Sequence, residues 1–256
     1  SLPCYYPFQT TMELPRDLVL ARFVRRVNRF AAVVRLEGRQ APSAGPVLSL
    51  PKGSGQVLAH VPNSGRLREL FRPGRLVYLA PRSTPGRRTA YDMALVQAPQ
   101  ALVCMDARLP SALFCEAVRE GALAEFQGYS RVVPEVRYGD SRIDALLEGE
   151  RGSALVETKS ITLVRRGTAL FPDAPTSRGT RHLRALMQAR REGLRAAVCF
   201  VVQREDPRRF RPYDAADAVF GATLREAAAC GVEVYAYRCH VDAGSVRIVG
   251  RVPVLL

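Results

Sequence analysis

The chain has 256 residues, enough for one large domain or two modest ones, each with a core of its own. Its hydrophobic content of 47% and charged content of 24% are ordinary for a globular protein, and no apolar run approaches the length that spans a bilayer, so a helical membrane protein is excluded. With 38 basic against 24 acidic residues the net charge is +14, which points to a polyanionic partner, nucleic acid first.

That charge is unevenly placed: residues 1–95 carry 15 basic and 5 acidic side chains, residues 96–256 carry 23 and 19. An arginine bias kept for solubility would explain a modest excess but not its concentration, so binding is expected in the N-terminal third. Lys52 and Lys159 are the only lysines, the other 36 basic residues being arginines, which makes a lysine unusual here. Cys4, Cys104, Cys115, Cys199, Cys230 and Cys239 form no C-x-x-C pair, and they read as reduced, mostly buried thiols.

Residues 1–9 contain no basic segment followed by an apolar core, so no secretory signal is read and a soluble, cytoplasmic protein is expected. Residues 1–17 are set aside as an extension outside the fold. From 18 to 36 basic and apolar residues alternate (Arg22, Arg25, Arg26, Arg29 and Arg35 among Val24, Val27, Phe30 and Val33), and a Gly/Pro-rich turn region follows at 38–46, which predicts strand, turn, strand. Short strands are expected at 56–61, 75–80 and 89–97, separated by Pro62-Asn63-Ser64-Gly65, Pro73-Gly74 and Pro85-Gly86. Their spacing predicts a small OB-like barrel over 18–97, with Phe30, Tyr78 and Tyr91 as candidate base-stacking residues.

The pattern changes after Pro99, and a second domain is expected over 98–256. Pro110-Ser111 opens a helix carrying Leu113, Ala117, Leu123 and Phe126 on one side. Strands follow at 131–138, 142–148 and 154–163, then a helix from Thr176 or Ser177 to Gly193, a strand at 196–202, a helix over 214–230 and a strand at 232–237. The order α-β-β-β-α-β-α-β predicts an α/β sandwich around a mixed sheet.

Hydrolysis of a phosphodiester with a divalent ion needs carboxylate oxygens for a hard metal and a cation that orients water or balances negative charge. Glu157 and Lys159 lie two apart on one predicted strand, so they share a face. If 149–152 forms the turn, Glu148 faces Ser153, and the same register carries Asp144 opposite Glu157, close enough to share an ion. The bland alternative is an exposed cross-strand ion cluster worth roughly a few tenths of a kcal/mol. Against it, Asp144 and Glu157 stand among Ile143, Ala145 and Val156, and the cation is one of the two lysines.

The runs Arg142-Ile143-Asp144 and Val156-Glu157-Thr158-Lys159-Ser160 resemble the PD-(D/E)xK nuclease core. With Val61-Pro62-Asn63-Ser64-Gly65, Gly128-Tyr129-Ser130, Glu135-Val136-Arg137-Tyr138-Gly139, Phe171-Pro172-Asp173-Ala174 and Arg178-Gly179-Thr180-Arg181-His182-Leu183, the chain resembles the sugar fermentation stimulation protein family over nearly all its length after Leu18. The resemblance implies an α+β two-domain chain: an N-terminal OB-like β-barrel, a C-terminal α/β nuclease-type domain with a central mixed sheet, and DNA binding. The chain departs from it at Arg137 and Arg181, where lysine is expected.

As implied by the resemblance, Glu116 on the first helix is an additional acidic ligand. Glu120, one helical turn further on, and Glu135, either a ligand or a partner of Arg142, remain alternatives. Asp144, Glu157 and Glu116 are thus the candidate ligands of Mg²⁺ or Mn²⁺, and Lys159 orients the attacking water. Arg178, Arg181 and His182, at a helix entry beside Asp173, are candidate phosphate contacts, with a capped or core histidine as the alternative for His182; so are Arg66 and Arg68 beside the 63–65 turn and Arg25 and Arg29 in the basic strand. The function read from the sequence is a metal-dependent nuclease acting on single- or double-stranded DNA. Its alternatives are a non-catalytic DNA-binding transcriptional regulator of sugar metabolism and a protein that binds or acts on RNA.

Overall fold

The computed structural model describes residues 11–38, 55–83 and 86–256. Most of the expected turn at 38–46, Lys52 and Pro85 lie outside the described residues.

The first described strand, β1 (Thr11–Glu13), precedes β2 (Val19–Asn28), β3 (Ala31–Leu36), β4 (Gln56–His60), β5 (Leu76–Pro81), β6 (Tyr91–Gln97) and β7 (Leu102–Cys104). Pairing runs β4-β3-β2-β5-β6, and a parallel contact of β4 with β6 closes these five strands into a barrel of OB type, with β7 added beside β6. Alternation along β2 explains the closure: Ala21 and Phe23 are buried with Val34, Ala59, Leu79 and Met93, while Arg22 and Arg25 point to solvent.

The second half contains α1 (Leu109–Arg119), β8 (Tyr129–Tyr138), β9 (Ser141–Gly149), β10 (Gly152–Ile161), β11 (Val164–Arg165), β12 (Thr168–Phe171), α2 (Ser177–Arg191), β13 (Arg195–Val202), β14 (Arg209–Pro212), α3 (Ala218–Ala229), β15 (Glu233–Val241) and β16 (Ser245–Arg251). A mixed sheet has the order β1-β16-β15-β13-β10-β9-β8, with β10, β13 and β15 parallel. Helices α2 and α3 cover one face through Leu183, Leu186, Phe220 and Leu224 against Val198 and Phe200, and α1 covers the other through Phe114, Ala117 and Val118 against Ala145, Val156 and Ala197. No helix among the described residues is long and apolar enough to cross a membrane.

Two sequence expectations are corrected. Residues 11–17 are not outside the fold: β1 pairs antiparallel with β16, and Met12 and Leu14 pack against the core that joins the domains. The first helix stops at Arg119 because Gly121 adopts φ +67, and Leu123 and Phe126 reach the core from the 3-10 turn at Ala124–Phe126.

The domains share buried surface. Leu95 and Cys104 of the barrel side pack with Leu113, Val201, Cys239 and Val246. The Cys104 N–H bonds the Gln203 carbonyl at 3.0 Å, and the Leu67 N–H bonds Asp173 Oδ2 at 3.1 Å.

Candidate active site

The hairpin β9–β10 turns on Glu150-Arg151, and Gly152 takes φ +83, a conformation open to glycine. Its register pairs Ser153 with Glu148 and continues to Val156 opposite Ala145. This is the expected register, but the ladder ends there, one position short of Asp144 and Glu157. The two strands part, and the Asp144 side chain replaces the missing backbone partner: Asp144 Oδ2 accepts from the Thr158 N–H at 2.8 Å and from its hydroxyl at 2.5 Å.

Glu157 is 2% exposed, on the face of β10 covered by α2. Its Oε1 accepts from Lys159 Nζ and lies in hydrogen-bond contact with Nδ1 of His182, while Oε2 is buried with no hydrogen-bond partner. Burial pushes the Glu157 carboxyl up, but the opposing pull of Lys159 and His182 is larger and holds it below the usual carboxylate range. The Asp144 carboxyl stands above that range, because burial and the like charge of Glu157 outweigh the bonds from Thr158 and the charge of Lys159. Two nearby carboxylates are thus pushed in opposite directions.

Glu116 is not part of this group. It is half-exposed on α1 and accepts from Arg119 at 2.9 Å, and among the described residues no three His, Cys, Asp or Glu side chains are gathered at metal-binding separation. Glu120 is exposed at the C-cap of α1, and Glu135 pairs with Arg142.

His182 is corrected more sharply. Expected as a substrate contact, it is 1% exposed and turned inward to Glu157, and its Nε2 accepts from Arg178 Nε at 3.4 Å. The sequence held the signal: His182, Leu186 and Ala189 recur at i, i+4, i+7, so the histidine belongs to the buried stripe of α2. Thr158 was passed over because its part is visible only once the strands separate.

Arg25, Arg29, Arg66, Arg68, Arg178 and Arg181 are all exposed. Arg29 and Arg66 line a groove of about 480 Å³ with Arg26, Asn28, Ser64, Gly65, Ala174 and Pro175, where the barrel meets the approach to α2. Arg26 builds this groove: its Nη1 donates to the Gly65 and Arg66 carbonyls at 2.7 and 2.6 Å, and its Nη2 donates to the Arg29 carbonyl at 2.6 Å. Arg66 and Arg68 also line a cavity of about 110 Å³ with Glu69, Arg165, Asp173 and Tyr213. Of the three candidate aromatics, Tyr91 belongs to the barrel core, Tyr78 packs at the domain junction, and Phe30 is 50% exposed.

A closed OB barrel joined to an α/β domain around a mixed sheet, with two carboxylates and a lysine gathered where two strands part, defines the two-domain class of this chain. The family model described as SfsA N-terminal OB domain matches residues 24–105, and that described as Sugar fermentation stimulation protein RE domain matches residues 108–245. The chain belongs to the sugar fermentation stimulation protein family. It is 46% identical over 247 residues to the homolog from Moorella thermoacetica, covering 96% of this chain and all of that protein. It is 45% identical over 245 residues to the homolog from Geobacter sulfurreducens, covering 95% and 99%. The solved structure of Pyrococcus furiosus SfsA in complex with Ca²⁺ is 32% identical, with a TM-score of 0.82 over 96% of this chain and 98% of that one.

Proposed function

We propose that the protein is a DNA nuclease dependent on Mg²⁺ or Mn²⁺, with Asp144, Glu157 and Lys159 as its reacting site. The observation that carries this reading is the buried Glu157 carboxylate, with one oxygen occupied by Lys159 and His182 and the other without a partner beside Asp144. A buried acceptor left unpaired costs about 1–3 kcal/mol, and a cation is the group it lacks. Mg²⁺ fits a site of this kind, because it keeps several waters and takes only one or two protein carboxylates together with substrate phosphate oxygens. The Pyrococcus furiosus relative was solved with Ca²⁺, which shares that preference for oxygen.

Asp144 and Glu157 would hold the ion, which would supply a Lewis acid for the phosphodiester and for water. Thr158 fixes the Asp144 carboxylate, and His182 fixes Glu157. Lys159 supplies a compact positive charge that orients the attacking water and balances charge developing on the phosphate. Arg29 and Arg66 in the groove, together with Arg25, Arg68, Arg178 and Arg181, neutralise the backbone of the bound strand. The cytoplasm is the compartment this reading assigns.

The test is incubation of the purified chain with labelled single-stranded DNA, duplex DNA and RNA at fixed salt with Mg²⁺ or Mn²⁺, beside Asp144→Ala and Lys159→Ala. Cleavage of DNA by the wild type, lost in both variants while binding persists, supports the reading. A wild type that binds DNA but cuts with neither metal leaves a binding protein on a nuclease fold, and preferential cutting of RNA reassigns the substrate.

A further inference from the structure

We infer that His182 is a positioning residue that couples strand binding at Arg178 to metal binding at Glu157, so that each raises the affinity for the other. The inference rests on the nuclease reading for the identity of the two ligands.

The relay runs from the surface to the interior. Arg178 is exposed on α2, His182 lies four residues on along the same side, and Glu157 lies beneath them on β10. The carboxylate accepts only, so the ring nitrogen facing it, Nδ1, carries a proton. The guanidinium donates only, so Nε2 accepts. A neutral imidazole protonated at Nδ1 satisfies both neighbours at once, the carboxylate holding the proton on Nδ1 and the guanidinium facing the bare Nε2.

Two consequences follow from where the bonds end. Because His182 and Lys159 both engage Oε1 of Glu157, Oε2 is left as the oxygen that meets the ion. Arg178 spends only Nε on the histidine; its two terminal nitrogens have no partner among the described residues and are available to a phosphate. A phosphate that clamps those terminal nitrogens fixes the guanidinium plane, hence the imidazole, hence the Glu157 rotamer. By linkage the metal then tightens phosphate binding by the same factor.

Groups that hold a metal ligand from behind commonly change metal affinity about 10–100-fold when removed. The experiment measures Mn²⁺ binding to the full chain by the EPR signal of free Mn²⁺, with and without a single-stranded phosphorothioate oligonucleotide that resists cleavage. Wild type should bind Mn²⁺ several-fold more tightly with the oligonucleotide. His182→Leu should bind Mn²⁺ about 10–100-fold more weakly and lose the coupling. His182→Asn places an amide N–H near the position of Nδ1 and nothing at Nε2, so it should recover most of the affinity without the coupling. Arg178→Gln, compared at saturating oligonucleotide, should lose the enhancement. If His182→Leu does not fold, the other two variants carry the test, Arg178 being exposed.

The inference is overturned if Mn²⁺ binding is indifferent to His182 substitution, or if the enhancement survives in Arg178→Gln; the nuclease reading then stands. Wild type that binds no Mn²⁺ at all removes both.

Discussion

Thr158 gives both its backbone N–H and its hydroxyl to one oxygen of Asp144, at 2.8 and 2.5 Å. An asparagine carbonyl can accept the same two bonds without the charge, which isolates the cost of that charge. Since the folded-state pKa of Asp144 is raised, the folded chain holds this proton more tightly than the unfolded one. Its contribution is therefore most favourable at low pH and is lost as pH rises through the folded value. At neutral pH without metal, Asp144→Asn should stabilise the protein by about 1 kcal/mol, or about 2–4 °C in Tm. Mn²⁺ should raise the Tm of wild type and not of the variant. A lower Tm for the metal-free variant would refute the electrostatic account of the pair.

Glu157 has the opposite sign. Its depressed carboxyl contributes stability that is complete at neutral pH and lost as pH falls through the folded value. Lys159→Met removes the largest influence that holds the Glu157 carboxyl down, so Glu157 should titrate at higher pH and the acid limb of the stability curve should move upward. Breaking a buried pair from one side costs about 3–5 kcal/mol, and His182, which remains, should keep the loss at the lower end. Urea unfolding at pH 5 and pH 8 measures it. A variant with an unmoved acid limb would mean that His182 alone sets the state of Glu157.

The hairpin that carries these residues was legible because a short glycine-bounded turn sets the register, and a period of two then puts Glu157 and Lys159 on one face. The separation of the strands at Asp144 was not legible, since it arises from a side chain taking over a backbone bond. β11, β12 and β14 are two to four residues long, too short for a period to stand out from the loops around them. Asp173 was read only as a neighbour of the helix entry and given no role, whereas its carboxylate is used inside the protein, against the barrel's 65–67 turn. Long-range pairing of this kind leaves no local period in the chain.

That turn admits no side chain at Gly65. A Cβ there would lie 2.5 Å from Asp173 Oδ2 and 2.9 Å from Oδ1, and the same carboxylate accepts from the Leu67 N–H. Gly65→Ala should push Asp173 away, leave that N–H unpaired and cost about 1–3 kcal/mol. Asp173→Ala loses the same bond but makes room, so the double variant should be less destabilised than the two single losses added, by at least about 0.5 kcal/mol. Additive losses in chemical denaturation would show that the two residues act separately.

On the proposed reading, Phe30 bears on which form of DNA the barrel would hold. Its N–H donates to Asn28 Oδ1 at 2.8 Å and its carbonyl accepts from the Val61 N–H at 2.8 Å, so the backbone is fixed while half the ring stays exposed, stacked on His60 with centroids 6.4 Å apart. Asn28 and Arg29, immediately before it, line the arginine groove. A fixed aromatic beside a cationic groove suits an unpaired strand, whose bases can stack on it, better than a duplex, whose bases cannot. Phe30→Ala should weaken single-strand binding by about 1–3 kcal/mol, roughly 5–150-fold, with little change in duplex binding or Tm. Arg29→Gln and Arg66→Gln should each flatten the salt dependence of single-strand affinity by about 0.7 in the log–log slope. Fluorescence anisotropy across a salt series reads both effects. Equal losses for single strand and duplex in Phe30→Ala would assign the ring to general surface contact, and an unchanged slope in both arginine variants would place the phosphates elsewhere.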